Sequence, residues 1–132
     1  MLLKLSKFLE KLSFKLKQKA LYYELLYYIK KGKDYFKPVY IYTRGIGKTY
    51  TLLQLAHKYK CPIVVKYEKS RDYLQHMSMR HFNKAVEVII AKELRPGKTK
   101  LDLVLCEEGI DRRILSDVQY ICKQAVGYIT AD

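Results

Sequence analysis

The fold predicted for this chain depends on one stretch, Thr43-Arg44-Gly45-Ile46-Gly47-Lys48-Thr49-Tyr50. The β-rich run PVYIY at Pro38–Tyr42 precedes this stretch, and a helical pattern of apolar residues over Lys48–Tyr59 follows it. A strand, a glycine-rich turn and a helix that begins with Gly-Lys-Thr form the phosphate-loop (P-loop) arrangement. The stretch therefore predicts a turn whose backbone surrounds the phosphates of a nucleotide.

The residue types in this turn suit ATP with Mg²⁺. Gly45 and Gly47 allow backbone conformations that a Cβ would block, so that successive N–H groups point into one anion-sized concavity. Lys48 begins a helix whose positive dipole end faces the same place, and its ammonium is expected to reach the β- and γ-phosphates. The Thr49 hydroxyl is expected to coordinate Mg²⁺. Nucleotide contacts are predicted for Thr43, Arg44, Gly45, Ile46, Gly47, Lys48, Thr49 and Tyr50.

The stretch departs from the full pattern GxxxxGK[ST] at one position. The first glycine of that pattern would stand where this chain has Tyr42. We expect Tyr42 to narrow the entrance of the loop or to weaken the affinity, without abolishing the site.

Two acids follow a second apolar run. LDLVL at Leu101–Leu105 predicts a strand that ends just before Glu107 and Glu108, about 60 residues after the P-loop. Glu107 is predicted to hold the Mg²⁺ shell and Glu108 to polarise an attacking water. Asp is commoner than Glu at the metal position, and the longer side chain of Glu107 is expected to shift the metal. The alternative is a carboxylate pair in a solvated turn.

The remaining pattern alternates strands with helices. Further strands are predicted over Cys61–Val65, Val86–Ile90 and Val126–Thr130, and further helices over Arg71–Phe82, capped by Ser70, and Asp111–Gln124. Continuous apolar strands of this kind indicate an α/β fold, a three-layer arrangement with a mainly parallel sheet of about five strands. Thr130 ends the last strand and is a candidate sensor of the γ-phosphate or of water, or else a threonine without a role.

A long helix is predicted before the sheet, because residues 2–31 contain neither Gly nor Pro. Apolar residues recur there at spacings of three and four, with one interruption at Lys19: Leu2, Leu5, Leu9, Leu12, Leu16, Tyr23 and Leu26. Lysines form a separate stripe at Lys4, Lys7, Lys11 and Lys15. The apolar face is predicted to pack on the core, with an oligomer seam, a nucleic-acid-binding face or a membrane-surface helix as alternatives. Residues 1–37 are accordingly interpreted as a basic helical extension and residues 38–132 as a minimal nucleotide-binding domain, compact as a whole.

The chain is strongly basic, with a formal net charge of +13. Residues 1–37 hold 10 Lys and 3 acids, a net of +7, and the other residues hold a net of +6. This charge predicts attraction to a polyanion such as nucleic acid, an anionic membrane face or a nucleotide. The three cysteines lack CxxC spacing, which argues against a zinc site or a disulfide framework and favours buried thiols. With no signal peptide or membrane span in the pattern, a cytoplasmic location is predicted, in the host cytoplasm if the chain is phage-encoded.

These motifs resemble the additional-strand (ASCE) division of P-loop NTPases over roughly residues 38–132. TRGIGKTY at Thr43–Tyr50 is similar to the loop of phage DNA-packaging ATPases, which often carry an Arg before Gly-x-Gly-Lys. GYITA at Gly127–Ala131 is similar to the strand-end coupling motif of packaging motors and helicases. The layout, including the segment Glu93-Leu94-Arg95, also resembles small phage-encoded P-loop proteins.

The resemblance implies a Mg²⁺-dependent ATPase that acts on or near nucleic acid. Arg44 would be a mobile lid or a charge on the γ-phosphate, and Thr130 would sense or couple. A full packaging motor is not expected, because the chain stops at Asp132 without further strands or an arginine finger. Slow turnover follows, unless a second copy or a protein partner supplies that arginine. A non-hydrolysing nucleotide-gated protein that engages DNA, RNA, a membrane or a protein partner is the main alternative, and a nucleotide kinase is a weaker one.

Overall fold

A computed structural model describes residues 2–39, 47–94 and 100–130. The helices are α1 (Leu2–Lys31), α2 (Lys48–Tyr59), α3 (Glu68–Phe82) and α4 (Arg112–Ile121). The strands are β1 (Tyr35–Val39), β2 (Ile63–Val65), β3 (Val88–Ile90), β4 (Leu101–Cys106) and β5 (Cys122–Thr130). A short 3₁₀ turn, Ala91–Glu93, follows β3.

The five strands form one sheet in the order β1-β5-β4-β2-β3, and every neighbouring pair is parallel. Parallel strands require crossover connections, which here contain α2, α3 and α4. The last strand of the chain thus lies between the first strand and β4. An α/β fold with a parallel sheet of five strands is confirmed.

Side chains from the strands alternate between two apolar cores, one on each face of the sheet. Leu105 and Val126 pack into the core that α1, α2 and α3 cover. Val104 and Ala125, each one residue earlier in its strand, pack into the core that contains Val118 of α4. This period of two places helices on both faces and makes the fold three-layered.

The first helix packs on the sheet only through its second half. Leu21, Leu25, Leu26 and Ile29 are buried in the core. The prediction that the whole Leu/Tyr face packs on the core is wrong, because Leu2, Leu5, Leu9, Leu12, Leu16 and Tyr23 are exposed. Within the described residues, no helix combines the length and the apolar character that crossing a membrane requires.

Helix α2 spans the predicted residues, whereas several other predicted boundaries are wrong. Strand β1 begins at Tyr35, three residues before the predicted Pro38, and β2 and β3 each begin two residues after the predicted start. Helix α3 begins at Glu68 after Tyr67, so that Ser70 lies inside the helix and does not cap it. Helix α4 ends at Ile121, and β5 begins at Cys122 rather than Val126. The additional strand residues pair in register with β4, beginning with Cys122 opposite Leu101. Long-range pairing has overridden a local pattern that suited a longer helix.

Candidate functional site

The candidate site lies at the sheet edge where the parallel strands end. Strands β1, β5 and β4 finish there at Val39, Thr130 and Cys106. Val39 and Thr130 are paired across β1 and β5. The carboxyl ends of strands are where open α/β sheets bind their ligands, because the connections that follow diverge there.

Helix α2 begins at this edge with a glycine in the left-handed conformation. Gly47 has φ 78° and occupies the N-cap position, where it has no side chain to cap the helix. Its carbonyl accepts a hydrogen bond from the N–H of Thr51 at 3.0 Å. A Cβ at Gly47 would lie 2.8 Å from the Cγ of Gln18 on α1. Both the backbone angle and the close approach of α1 therefore favour glycine at this position.

Lys48, the first residue of α2, is nearly buried and faces an acid that is distant from it in the chain. Its side chain is 7% exposed, and its Nζ lies 3.4 Å from Oε2 of Glu108. Its carbonyl oxygen accepts a hydrogen bond from the hydroxyl of Tyr128 on β5, at 3.2 Å. Burial, followed by the charges of Glu108 and Glu24, raises the pKa of Tyr128, which keeps its hydroxyl a donor. Strand β5 thus fixes the position of the lysine backbone.

The two acids after β4 occupy different surroundings. The N–H of Glu107 donates to the carbonyl of Val64 at 3.1 Å, which ties the residue to the end of β2. Burial raises the pKa of Glu107 to about 7, and the neighbouring charge of Glu108 adds to the effect. The Glu108 side chain is 43% exposed and points toward Lys48. Adjacent carboxyls with different surroundings are suited to different chemical tasks.

Thr130 holds the turn that carries these acids. Its hydroxyl accepts a hydrogen bond from the N–H of Gly109 at 3.1 Å, and its own N–H donates to the carbonyl of Ile110 at 3.2 Å. Gly109 has φ 102°, a conformation that favours glycine. The tip of β5 is therefore bonded to the residues that follow Glu108. The structure gives Thr130 a positioning contact, while its predicted sensing role stays a prediction.

A cleft of about 490 Å³ opens beside these groups. The predicted residues that line it are Gly47, Lys48, Thr49, Tyr50 and Glu108. Sequence reasoning missed two further walls, Phe14 and Gln18 of α1 and Tyr73, Met77 and His81 of α3. The spacing of four between the three α3 residues is a signal that they share one helix face, although it does not say which surface that face meets.

The first half of the predicted P-loop lies outside the residues that the structure describes, namely Thr43, Arg44, Gly45 and Ile46, with Tyr42 before them. The ring of Tyr50 packs against Phe82, with centroids 5.2 Å apart and planes 30° apart. This contact anchors the first turn of α2 to α3. The structure therefore brings Lys48, Thr49 and Glu108 together at the cleft. Glu107 and Thr130 lie at the same edge of the sheet, but neither is among the described residues that line the cleft.

Comparisons with known proteins found no relative of this chain. No family model matches the chain, and the searches among curated proteins and solved structures gave no match.

Proposed function

We propose that this chain is a P-loop protein that binds ATP with Mg²⁺ and hydrolyses it slowly. The observation that carries the proposal is the meeting of Lys48 and Glu108 at 3.4 Å, at the edge where β1, β4 and β5 end. The two residues are 60 positions apart in the chain, so only the fold brings them together. Lys48 is the first residue of α2, and its nearly buried ammonium lies beside a cleft of about 490 Å³, an arrangement that suits the binding of a polyphosphate.

The ammonium and the helix end act on the same ligand atoms. The N-terminus of α2 contributes its positive dipole end, and Lys48 adds a full charge in a setting that excludes most water. Coulomb attraction is stronger in such surroundings than in bulk solvent. A bound triphosphate would compete with Glu108 for the lysine, which would release the carboxylate toward the cleft.

Thr49 and Glu107 are the residues that would hold Mg²⁺. A hydroxyl and a carboxylate are hard oxygen ligands of the kind that Mg²⁺ prefers. The raised pKa of Glu107 marks a carboxyl whose negative charge is poorly stabilised by its own protein surroundings. A nearby cation would offset that cost, and the ion would neutralise phosphate charge when bound.

The sheet order also supports the proposal. The resemblance to the additional-strand division implies an added strand beside the P-loop strand. Strand β5 pairs with β1 on one side and with β4 on the other. Its Thr130 then bonds to the turn that carries Glu108, the proposed base for the attacking water.

Slow turnover follows from the side chains around the cleft. None of the described residues that line it is an arginine. A missing arginine finger costs about 10³–10⁵ in the rate of phosphoryl transfer. We propose that Arg44 places a charge on the γ-phosphate, and that a second copy or a protein partner supplies the arginine finger. The basic surface of the chain would recruit nucleic acid.

ATP binding and hydrolysis, with and without single- and double-stranded DNA, test the proposal. Lys48→Ala should weaken ATP binding, whereas Glu108→Gln should leave binding in place and abolish turnover. Lys58→Ala is the matched control, since Lys58 is an exposed lysine near the other end of the same helix. Equal ATP affinity of the wild type and Lys48→Ala would refute the assignment of the site.

The pairing of Lys48 with Glu108 favours one alternative, a protein that binds ATP and is gated by it without turnover. The ammonium of Lys48 already engages the carboxylate of Glu108, the proposed base for the attacking water, at 3.4 Å. ATP binding without phosphate release under every condition would select this alternative.

A further inference from the structure

The first half of α1 exposes an unusual amount of apolar surface. Eight large apolar side chains there are between 41% and 84% exposed: Leu2, Leu3, Leu5, Phe8, Leu9, Leu12, Phe14 and Leu16. Single exposed apolar residues are ordinary, but a contiguous group on one helix marks a surface that contacts something else.

Five of these residues form a face that points away from the domain, here called the Leu face: Leu2, Leu5, Leu9, Leu12 and Leu16. At about 100° per residue they fall within an arc of about 80°. Leu25 and Ile29, which are buried in the second half of the helix, project about 180° and about 140° from the centre of that arc. Phe14 and Gln18, which line the cleft, lie on the domain side. The Leu face therefore remains exposed while the opposite side of the same helix serves the domain.

The charge of this half-helix identifies its partner. Residues 2–19 contain six lysines and one acid, Glu10. Lys15, Lys17 and Lys19 lie beside the Leu face, where long side chains can extend toward a surface that the leucines enter. A helix with a leucine face bordered by lysines suits the boundary between the headgroups and the acyl chains of an anionic bilayer.

We infer that the first half of α1 binds an anionic lipid surface, lying in its plane with the Leu face inserted. This role goes beyond the proposed nucleotide function and does not depend on it. A second copy of the chain fits less well, because lysines would face lysines across the seam with few acids to pair them. Nucleic acid fits less well too, because phosphates would engage the lysines and leave five leucines in water.

A single introduced tryptophan tests the orientation directly, since the chain contains none. Leu9→Trp places the probe on the Leu face, and Lys7→Trp places a matched probe about 160° away on the same helix. Each variant of the full chain is mixed with phosphatidylcholine vesicles, with or without about a quarter of phosphatidylglycerol. Emission from position 9 should shift to the blue, and be quenched by brominated lipid, only with the anionic vesicles. Position 7 should respond much less.

Sedimentation with the same vesicles measures the energetics. Leu5→Ser combined with Leu9→Ser should lower the partition coefficient by about tenfold or more. Lys15→Gln and Lys17→Gln should each lower it by about fivefold. Tyr120→Ser is the control, because Tyr120 is 67% exposed on α4 and should not matter. All substituted side chains are exposed, so circular dichroism should remain that of the wild type.

Three results would overturn the inference. One is the absence of a blue shift with anionic vesicles. Another is a shift at position 9 that depends on protein concentration without lipid, which would indicate a second copy on the Leu face. The third is vesicle binding that survives the double Leu→Ser change but disappears with the lysine changes, which would indicate charge attraction alone.

Discussion

The hydroxyl of Thr130 lies 3.1 Å from the backbone nitrogen of Gly109 and accepts its hydrogen bond. This contact joins the last strand to the turn that follows Glu108. The acid faces Lys48 across the cleft, and Lys48 is in turn held by Tyr128 from the same strand. Strand β5 therefore positions both partners of the ion pair, one through a tyrosine hydroxyl and the other through a threonine.

Replacing Thr130 with valine should loosen the acidic turn. Valine keeps the shape but cannot accept the Gly109 hydrogen bond, which is worth about 1 kcal/mol of stability. We expect hydrolysis of ATP to fall more than ATP affinity, because Glu108 would lose its position while Lys48 keeps its own. Steady-state kinetics beside equilibrium binding measures the difference. Thr130→Ser keeps the acceptor and should restore turnover; equal loss in both variants would contradict a role of the hydroxyl.

Glu107 should make the stability of the metal-free protein depend on pH. Its pKa in the folded protein is about 7, against 4.5 as the ordinary value. Between these values the folded state keeps a proton that the unfolded state has lost. The contribution to the free energy of unfolding is therefore complete below about pH 4.5 and lost as the pH rises through about 7, a change of up to about 3 kcal/mol.

Chemical denaturation with a chelator present checks this, at about pH 5 and about pH 8. The free energy of unfolding of Glu107→Gln should change less between these two pH values than that of the wild type, since the amide does not titrate. Asp117→Asn, at an exposed position on α4, is the control and should leave the wild-type slope unchanged. An unchanged slope in Glu107→Gln would show that another group causes the dependence.

How much of this arrangement could be predicted depends on the range of the interactions. Helix α2 and the acids after β4 follow from local patterns, and both were predicted where the structure has them. Local patterns could not predict which face of α1 packs on the core. Its leucines carry the spacing of a core-facing helix, yet the core takes the opposite side, at Leu25 and Ile29. The bond between Thr130 and Gly109 joins two segments whose separation in the chain hides it from any local pattern.

A buried hydroxyl on α2 offers a stabilising change. Oγ1 of Thr51 has no hydrogen-bond partner among the residues that the structure describes, and the side chain is 0% exposed. Thr51→Val has nearly the same shape and should raise the free energy of unfolding by about 1 kcal/mol. Ser78→Ala should do the reverse, because the Ser78 hydroxyl lies 2.8 Å from Nε2 of His57 and donates to the carbonyl of Lys84. Denaturation curves that move in the same direction for both variants would contradict this account.

Gly127 should be the glycine least able to accept a side chain. It lies opposite Cys106 in the β4–β5 pair. Cys106 is the residue immediately before the acidic turn. A Cβ built there would lie 2.6 Å from the nitrogen of Cys106 and closer still to its carbonyl oxygen. Backbone atoms within a sheet cannot move aside as a flexible side chain can. We therefore expect Gly127→Ala to lower the free energy of unfolding by about 3 kcal/mol or more.

Gly32→Ala separates this crowding from backbone strain. Gly32 has φ 69° but nothing within 4 Å of the added Cβ, so its replacement should cost only about 1 kcal/mol. Urea denaturation of both variants gives the comparison. A cost at Gly127 that does not exceed the cost at Gly32 would mean that β4 and β5 can separate. In that case the close approach of the two strands would not be what fixes Glu107 and Glu108 at the end of the sheet.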